Sequence, residues 1–305
     1  MEQLTKKISL GIMVILFFHA CIVDVNPKLP RNNSVVLNGL IVPGDSITVS
    51  LFRSATGTDT SEFEIVENAE VTLLVGSEKT VPFSYLGNGV YRADEVASEL
   101  TRYKVIIITL EDEEIWAETI TPEITFGAVL TSENTTGSFD NTQNFLLTIA
   151  DNPSARNYYW IADLQHYLTP DSVSSRNLCY ALYTNSEYVD MFNETYDPAG
   201  YGKYFFEYNS FMHFPDYSFS GETITVEFKP AHNGSIKQDS IIVFNFDEHY
   251  SNYLKSKLIY EQGGERISSN APPINYIPSF IYSNVHNGLG ILGSYTAVSK
   301  CFRYE

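Results

Sequence analysis

The sequence predicts an all-β protein built as two β-rich domains with a single helix. Three observations carry that reading. Tyr occurs 21 times and Phe 19 times in 305 residues, and such aromatics suit the cross-strand pairs of sheets better than helical bundles. Short runs alternate apolar with hydroxyl or charged residues, at the period of two that marks a half-buried strand. Gly, Asn and Pro punctuate those runs as turns do. A hydrophobic fraction of 44% is enough to build a packed core in each domain.

In the first domain, Ser46-Ile47-Thr48-Val49-Ser50-Leu51 sets Ile47, Val49 and Leu51 on one face of a strand, the face that meets the core. Val71, Leu73 and Val75 repeat the pattern. Leu86-Gly87-Asn88-Gly89-Val90-Tyr91 puts residues that tolerate positive φ between two strand candidates, which predicts a hairpin turn. Residues 103–110, nearly all apolar or β-branched, predict a central strand, and residues 116–120 a closing one. Roughly seven strands within residues 34–121 suggest an immunoglobulin-like or prealbumin-like β-sandwich.

Thr121-Pro122-Glu123 marks a boundary, because proline interrupts pairing and the strand pattern resumes only near Asn144. The second domain, residues 122–305, has strand candidates at 145–149, 158–163, 223–228 and 241–246. A Tyr- and Phe-rich tract, residues 180–217, is expected to form long loops with short strands. Residues 247–262 predict the helix: Asp247 caps it, Tyr250, Tyr253, Leu254 and Leu258 recur at three- and four-residue spacing, and Gly263-Gly264 ends it. Pro272-Pro273 then extends the chain toward a terminal strand.

The first 20 residues are read as an export signal and excluded from the fold. Lys6-Lys7 precede an apolar run, residues 8–18, and Ala20 stands directly before Cys21. The run is shorter than the roughly 20 residues of a membrane span. The Ala-Cys ending resembles a bacterial lipobox, with Phe18 and His19 where Leu or Val and a small residue are usual. In lipoproteins that cysteine is diacylated, which makes Cys21 the candidate lipidation site, for palmitate or a similar acyl chain, and residues 21–33 a tether. Two acyl chains hold firmly, since each buried methylene contributes about 0.8 kcal/mol. A plain cleavable signal and an uncleaved anchor are the alternatives. Cys179 and Cys301 remain, either as a disulfide or as two separate thiols.

Charge and motif spacing exclude several chemistries. With 19 basic and 37 acidic residues the formal charge is -18, which repels a phosphate backbone, so nucleic acid is not an expected partner. Asn287-Gly288-Leu289-Gly290-Ile291-Leu292-Gly293 carries the glycine spacing of a dinucleotide loop, yet only 12 residues follow Gly293. No helix and no acidic partner about 20 residues on fit there, and no cofactor is expected. Gly288, Gly290 and Gly293 are read instead as structural glycines that let the backbone turn and pack closely against the second domain. The scattered histidines, His166, His213, His232, His249 and His286, lack metal-ligand spacing, and no C-x-x-C occurs, so no metal is expected. There is no G-x-S-x-G elbow, and paired carboxylates cannot be chosen among the acids without geometry, so no catalytic residue is nominated. Glu111-Asp112-Glu113-Glu114 is read as a solvated hairpin tip. Tyr158-Tyr159-Trp160 and Tyr204-Phe205-Phe206 are either core or a stacking surface for a ligand or partner. Asp45-Ser46-Ile47, Asp171-Ser172-Val173 and Asp239-Ser240-Ile241 resemble short envelope O-glycosylation acceptors.

Four features together resemble the domain of unknown function 4249 (DUF4249) family: Cys21, the early Val35-Val36-Leu37-Asn38-Gly39-Leu40-Ile41, Asn68-Ala69-Glu70-Val71-Thr72-Leu73 and the terminal Ser283-Asn284-Val285-His286-Asn287-Gly288-Leu289-Gly290-Ile291. Leu292 stands where that family commonly has an aromatic. A single acid, Asp24, follows Cys21 in place of an acidic cluster, which leaves cell surface and periplasmic face both open. The resemblance implies an outer-membrane lipoprotein of the cell envelope without established catalytic residues. It also implies a non-enzymatic accessory or ligand-binding partner of a TonB-dependent receptor in nutrient uptake. The alternative is an envelope glycan-binding module or hydrolase that uses the aromatic tract. The ligand itself is not legible.

Overall fold

The computed structural model of the chain describes residues 33–54, 63–123, 127–134, 143–168, 174–178, 181–184, 186–189, 194–195, 203–206, 212–231, 236–268 and 280–303. The export signal, Cys21, most of the tether, Asp171-Ser172-Val173, Cys179 and Pro272-Pro273 lie outside them.

The protein is mostly β-structure in sandwich-like layers, with one α-helix among the described residues. Its first part comprises β1 (Val35–Ile41), β2 (Ser46–Arg53), β3 (Glu64–Ile65), β4 (Glu70–Val75), β5 (Lys79–Gly87), β6 (Val90–Val96), β7 (Arg102–Ile108) and β8 (Glu114–Ile120). They pair in the order β1-β2-β6-β5-β4-β7-β8, with β3 on β2. Ile47, Val49 and Leu51 are buried together with Val71 and Leu73, as their alternation predicts, while Val75 packs at the margin. Asn88 (φ 51°) and Gly89 (φ 73°) make the two-residue turn between β5 and β6, the positive-φ pair whose twist matches the flanking strands. The acidic run forms the β7–β8 tip, but solvent is not its only partner. Arg53 reaches Glu111 at 2.8 Å and Glu113 at 3.0 Å.

The second part begins with β9 (Gly127–Asn134), a strand absent from the sequence reading, followed by β10 (Gln143–Ala150), β11 (Tyr158–Leu168), β12 (Ser174–Leu178), β13 (Ala181–Thr184), β14 (Glu194–Thr195), β15 (Lys203–Phe206), β16 (Met212–Pro215), β17 (Thr223–Pro230) and β18 (Ile236–Phe246). β9 is weak in strand propensity, with Gly127, Ser132 and Asn134 in it, but it is an edge strand that pairs with β10 along its whole length. Pairing therefore decides its conformation. A six-stranded sheet, β14-β15-β13-β17-β10-β9, contributes Phe145, Leu147, Val226, Phe228 and Leu182 to a core. β11, β16 and β18 supply Tyr159, Ile161, Phe214, Ile241 and Val243 to the same core. The tract 180–217 thus holds short strands where described.

The helix α1 (Glu248–Ser268) starts where expected and runs past Gly263-Gly264. Each mid-helix glycine costs about 1 kcal/mol relative to alanine, an amount that the hydrogen bonds of an already nucleated helix offset. Asp247 caps it, its Oδ1 accepting from the Tyr250 amide at 2.8 Å. The other oxygen accepts from the Thr119 hydroxyl of β8, so one carboxylate ties the helix start to the first half of the chain. Burial pushes Asp247 up to about 6, against the hydrogen bonds that favour its charged form. Asp247→Ala removes a cap and the carboxylate that accepts from the buried Thr119 hydroxyl, leaving that hydroxyl only Ser294 Oγ at 3.1 Å. It is expected to lower unfolding free energy by about 2–4 kcal/mol, read as an earlier urea midpoint.

The last strand, β19 (Leu289–Arg303), joins the two halves. Its first residues pair in parallel with β1, from Val36↔Leu289 to Ile41↔Ser294. The remainder pairs antiparallel with β18, from Phe246↔Tyr295 to Gln238↔Arg303. One continuous sheet results, in the order β12-β11-β18-β19-β1-β2-β6-β5-β4-β7-β8. Here the structure corrects the expected packing of the terminal glycines. A Cβ on Gly288 would lie 2.8 Å from the Val35 carbonyl oxygen, and one on Gly290 2.1 Å from that of Leu37. Both glycines close on β1, in the first half, and only Gly293 meets the second half, where a Cβ would lie 2.6 Å from that of Tyr250 on α1.

The residues before β19 act as a clasp. Trp116 of β8 and His286 exchange backbone hydrogen bonds of 3.3 and 2.8 Å, and their rings stack at 3.6 Å. The Asn284 amide donates to the carbonyls of Glu118 and Leu292, and its Oδ1 accepts from the Leu292 amide. One side chain thereby bridges β8 to β19, and Val285 and Leu292 complete the first core. Asn284→Ala deletes all three bonds and is expected to cost about 2–3 kcal/mol, measurable by urea unfolding.

Candidate functional site

Among the described residues, a concave site lies on the outer face of the six-stranded sheet. Along β17, Ile224, Val226 and Phe228 point into the core, which leaves Thr225, Glu227 and Lys229 outward. Register sets Tyr183 of β13 opposite Lys229, while Asn144 of β10 donates to Glu227 Oε1 at 2.8 Å. The turn after β13, residues 186–189, folds over this floor as a wall. Val189 is buried in the core beneath, and the Tyr188 ring meets Phe219 edge-on at 5.5 Å. The open cleft so formed has a volume of about 500 Å³, within the range of small-molecule sites.

Local hydrogen bonds hold the wall in place. Thr184 Oγ1 donates to the Glu227 carbonyl at 2.7 Å and accepts from the Ser186 amide at 3.0 Å, and Ser186 Oγ accepts from the Tyr188 amide at 3.4 Å. The Lys229 ammonium stands 5.7 Å over the Tyr183 ring, within cation–π range. Nearly every residue that lines the cleft carries a polar side-chain atom, Phe228 being the exception. Chemically the cleft offers two tyrosine rings, an amide, two carboxylates at Glu187 and Glu227, an ammonium and several hydroxyls. The sequence reading named neither Tyr183 nor Tyr188 individually, although both fall in the aromatic tract. The signal for the floor was the alternation in Thr223-Ile224-Thr225-Val226-Glu227-Phe228-Lys229.

The structure takes Tyr159 and Trp160 of the first aromatic triplet out of contention as a surface. Tyr159 and Trp160 are fully buried, because each polar tip finds an internal partner. The Tyr159 hydroxyl donates to Asp151 at 2.8 Å, and the Trp160 indole donates to the Ser251 hydroxyl of α1 at 3.2 Å. Tyr158 is half-buried. Tyr204, Phe205 and Phe206 lie on β15, whose backbone pairs with β13 and β14; their side chains lie outside the described residues. Of the acceptor-like sites, Ser46 is exposed, whereas Ser240 is buried on a central strand against Cys301 and Gln238. Cys301 carries a free, exposed thiol.

One carboxyl pair does come together, sealed from solvent. Asp163 of β11 and Asp239 of β18 are 1% and 0% exposed, on the sheet face that lines the second core. Neither Asp163 oxygen has a donor at hydrogen-bond distance. Burial first, and then the charge of Asp239, push Asp163 up to about 8, although Gln165 and the Ser240 amide lie near enough to offset part of that cost. No substrate reaches such a pair. Among the described residues no cluster of three or more His, Cys, Asp or Glu is placed to hold a metal ion, and no helix is long and apolar enough to cross a membrane.

With the geometry in view, comparison with known proteins places the chain. Residues 22–301 match the family described as "Domain of unknown function (DUF4249)". The chain belongs to that family. The match begins directly after Cys21 and ends at Cys301, so it includes both sandwiches, the clasp and all but the last two residues of β19. No curated protein matches in sequence. Among solved structures, a DUF4785 family protein from Legionella pneumophila is 12% identical with a TM-score of 0.26. The alignment covers 68% of this chain and 52% of that one, so the chain spans about half the length of this neighbour. Collagen adhesin from S. aureus is 10% identical with a TM-score of 0.23, over 89% of this chain and 95% of that one.

Proposed function

We propose that this DUF4249 protein is a non-enzymatic, lipid-anchored binding protein of the cell envelope, an accessory to a TonB-dependent outer-membrane receptor in nutrient uptake. The observation that carries the binding role is the cleft: a preformed, polar, tyrosine-lined concavity on the outer face of a sheet. The anchor rests on the signal-like residues 1–20 and Cys21, immediately before the family match. The receptor partnership rests on what the family resemblance implies.

Cells fed labelled palmitate are expected to label the wild-type protein and not Cys21→Ser; equal labelling would remove the anchor. Affinity purification from envelopes solubilised in mild detergent is expected to bring down an outer-membrane receptor. If none co-purifies, the accessory role is lost. The hydrolase alternative predicts saccharide turnover that Glu227→Gln abolishes, whereas the binding role predicts no turnover.

A further inference from the structure

We infer that the cleft walled by Tyr183 and Tyr188 is a carbohydrate site that takes a short, uncharged oligosaccharide. The inference rests on the binding role proposed above and names its ligand class. Four properties of the cleft select among ligands.

First, its lining is more polar than apolar, nearly every lining residue offers a hydrogen-bonding atom, and it holds two half-buried aromatic rings. An apolar ligand would strand hydroxyl, amide and carboxylate groups without partners. A sugar matches both halves, since its C–H faces pack on a ring while its hydroxyls give and take hydrogen bonds.

Second, the polar groups are of the kinds that recognise hydroxyls. A carboxylate accepts from adjacent hydroxyls with its two oxygens, and an ammonium donates to hydroxyl or ring oxygens. Glu227 and Lys229 alternate with core residues on the outward face of β17, so they reach the same ligand from one rigid strand. Asn144 already holds the Glu227 carboxylate at 2.8 Å, which limits the ordering that binding must impose.

Third, the charge balance disfavours anions. Glu187 and Glu227 face a single Lys229 in the cleft, in a chain of formal charge -18. A uronic acid or phosphate would meet net repulsion.

Fourth, an extended peptide has no edge to join. β13 lies between β15 and β17, β17 between β13 and β10, and β10 between β17 and β9. The backbone groups of the floor are spent within the sheet, so strand addition is closed to a partner here.

The test uses the full lipidated protein in detergent. Three sets of probes are screened on arrays and followed by calorimetry: neutral hexose oligosaccharides, matched uronic-acid oligosaccharides, and tripeptides. Binding of neutral saccharides, weakened at least tenfold by Glu227→Gln and by Tyr188→Ala but less than threefold by Tyr188→Phe, supports the assignment. Tyr188 touches Phe219, so thermal unfolding checks that the Ala variant is folded; Glu227 is exposed and its variant stands as the independent measurement. The assignment is overturned if no neutral saccharide binds, if uronic acids or tripeptides bind better, or if binding ignores both substitutions. Co-purification of a receptor without saccharide binding overturns the ligand class and leaves the accessory role standing. Saccharide binding at the cleft without any receptor does the reverse.

Discussion

Gly290→Val is expected to abolish stable folding, with either no soluble protein or a melting temperature lower by about 10 °C or more. Two independent penalties act at this position. Its φ is +103°, a conformation that L side chains rarely adopt, and a Cβ built there would lie 2.1 Å from the Leu37 carbonyl oxygen. The obstacle is backbone, so it cannot rotate away as a side chain would. Leu37 is the register partner of Gly290 in the parallel β1–β19 pair, and relief of the overlap would open the seam that joins the two halves. Gly44 separates the two penalties. It has a similar φ of +93° with nothing within 4 Å of a Cβ, so Gly44→Ala should lose only the backbone contribution, about 1–2 kcal/mol. Equal losses at the two positions, measured by urea unfolding, would refute a steric role for Gly290.

Asp163→Asn is expected to stabilise the protein at pH 8.5 by on the order of 3–5 kcal/mol and to change stability little near pH 4. In the folded state Asp163 is pushed up to about 8 from an ordinary 3.8, so the native protein holds a proton that the unfolded chain has already released. Stability from this group is therefore complete below about pH 4, declines as pH rises, and is lost above about pH 8. A tenfold change in proton affinity between the folded and unfolded chains corresponds to about 1.4 kcal/mol. The sum is discounted here because Gln165 and the Ser240 amide soften the cost of the charge. The measurement is the wild-type minus variant difference in unfolding free energy across that window. A difference constant in pH would show that Asp163 does not ionise with the expected penalty. Asp163 by itself therefore favours the folded state at acidic over alkaline pH.

Much of the architecture was legible because it depends on local patterns. Alternation in Ile47-Thr48-Val49-Ser50-Leu51 determines which side chains enter a core whatever the partner strand, and Asn88-Gly89 selects its turn through the positive φ those residues tolerate. Capping by Asp247 followed for the same reason, since a helix start is written within a few residues. The end of α1 was misread because glycine lowers helix propensity without forbidding helix. β9 was missed because an edge strand is stabilised by a neighbour rather than by its own composition.

The candidate site was far less legible. Tyr159 and Trp160 looked as suitable for a surface as Tyr183 and Tyr188, and what separates them is distant in sequence. Asp151 and Ser251 satisfy the first pair internally, whereas the register of β13 on β17 and the turn at residues 186–189 bring Tyr183 and Tyr188 to the rim of one cleft. The carboxyl pair Asp163 and Asp239 is invisible without the register of β11 on β18, which places two acids 76 residues apart on one buried face.

By itself, then, the sequence determined the all-β class, the helix start, the family and the identity of most core positions, because period, turn chemistry and capping act over a few residues. Only the tertiary structure decided what the glycine-rich terminus does. The spacing that resembles a nucleotide loop leads into a strand that reaches back to β1, and Gly288 and Gly290 are required by carbonyl groups about 250 residues earlier in the chain. Contacts of that range have no local signature, since the close approach that excludes a Cβ exists only once both strands are in place.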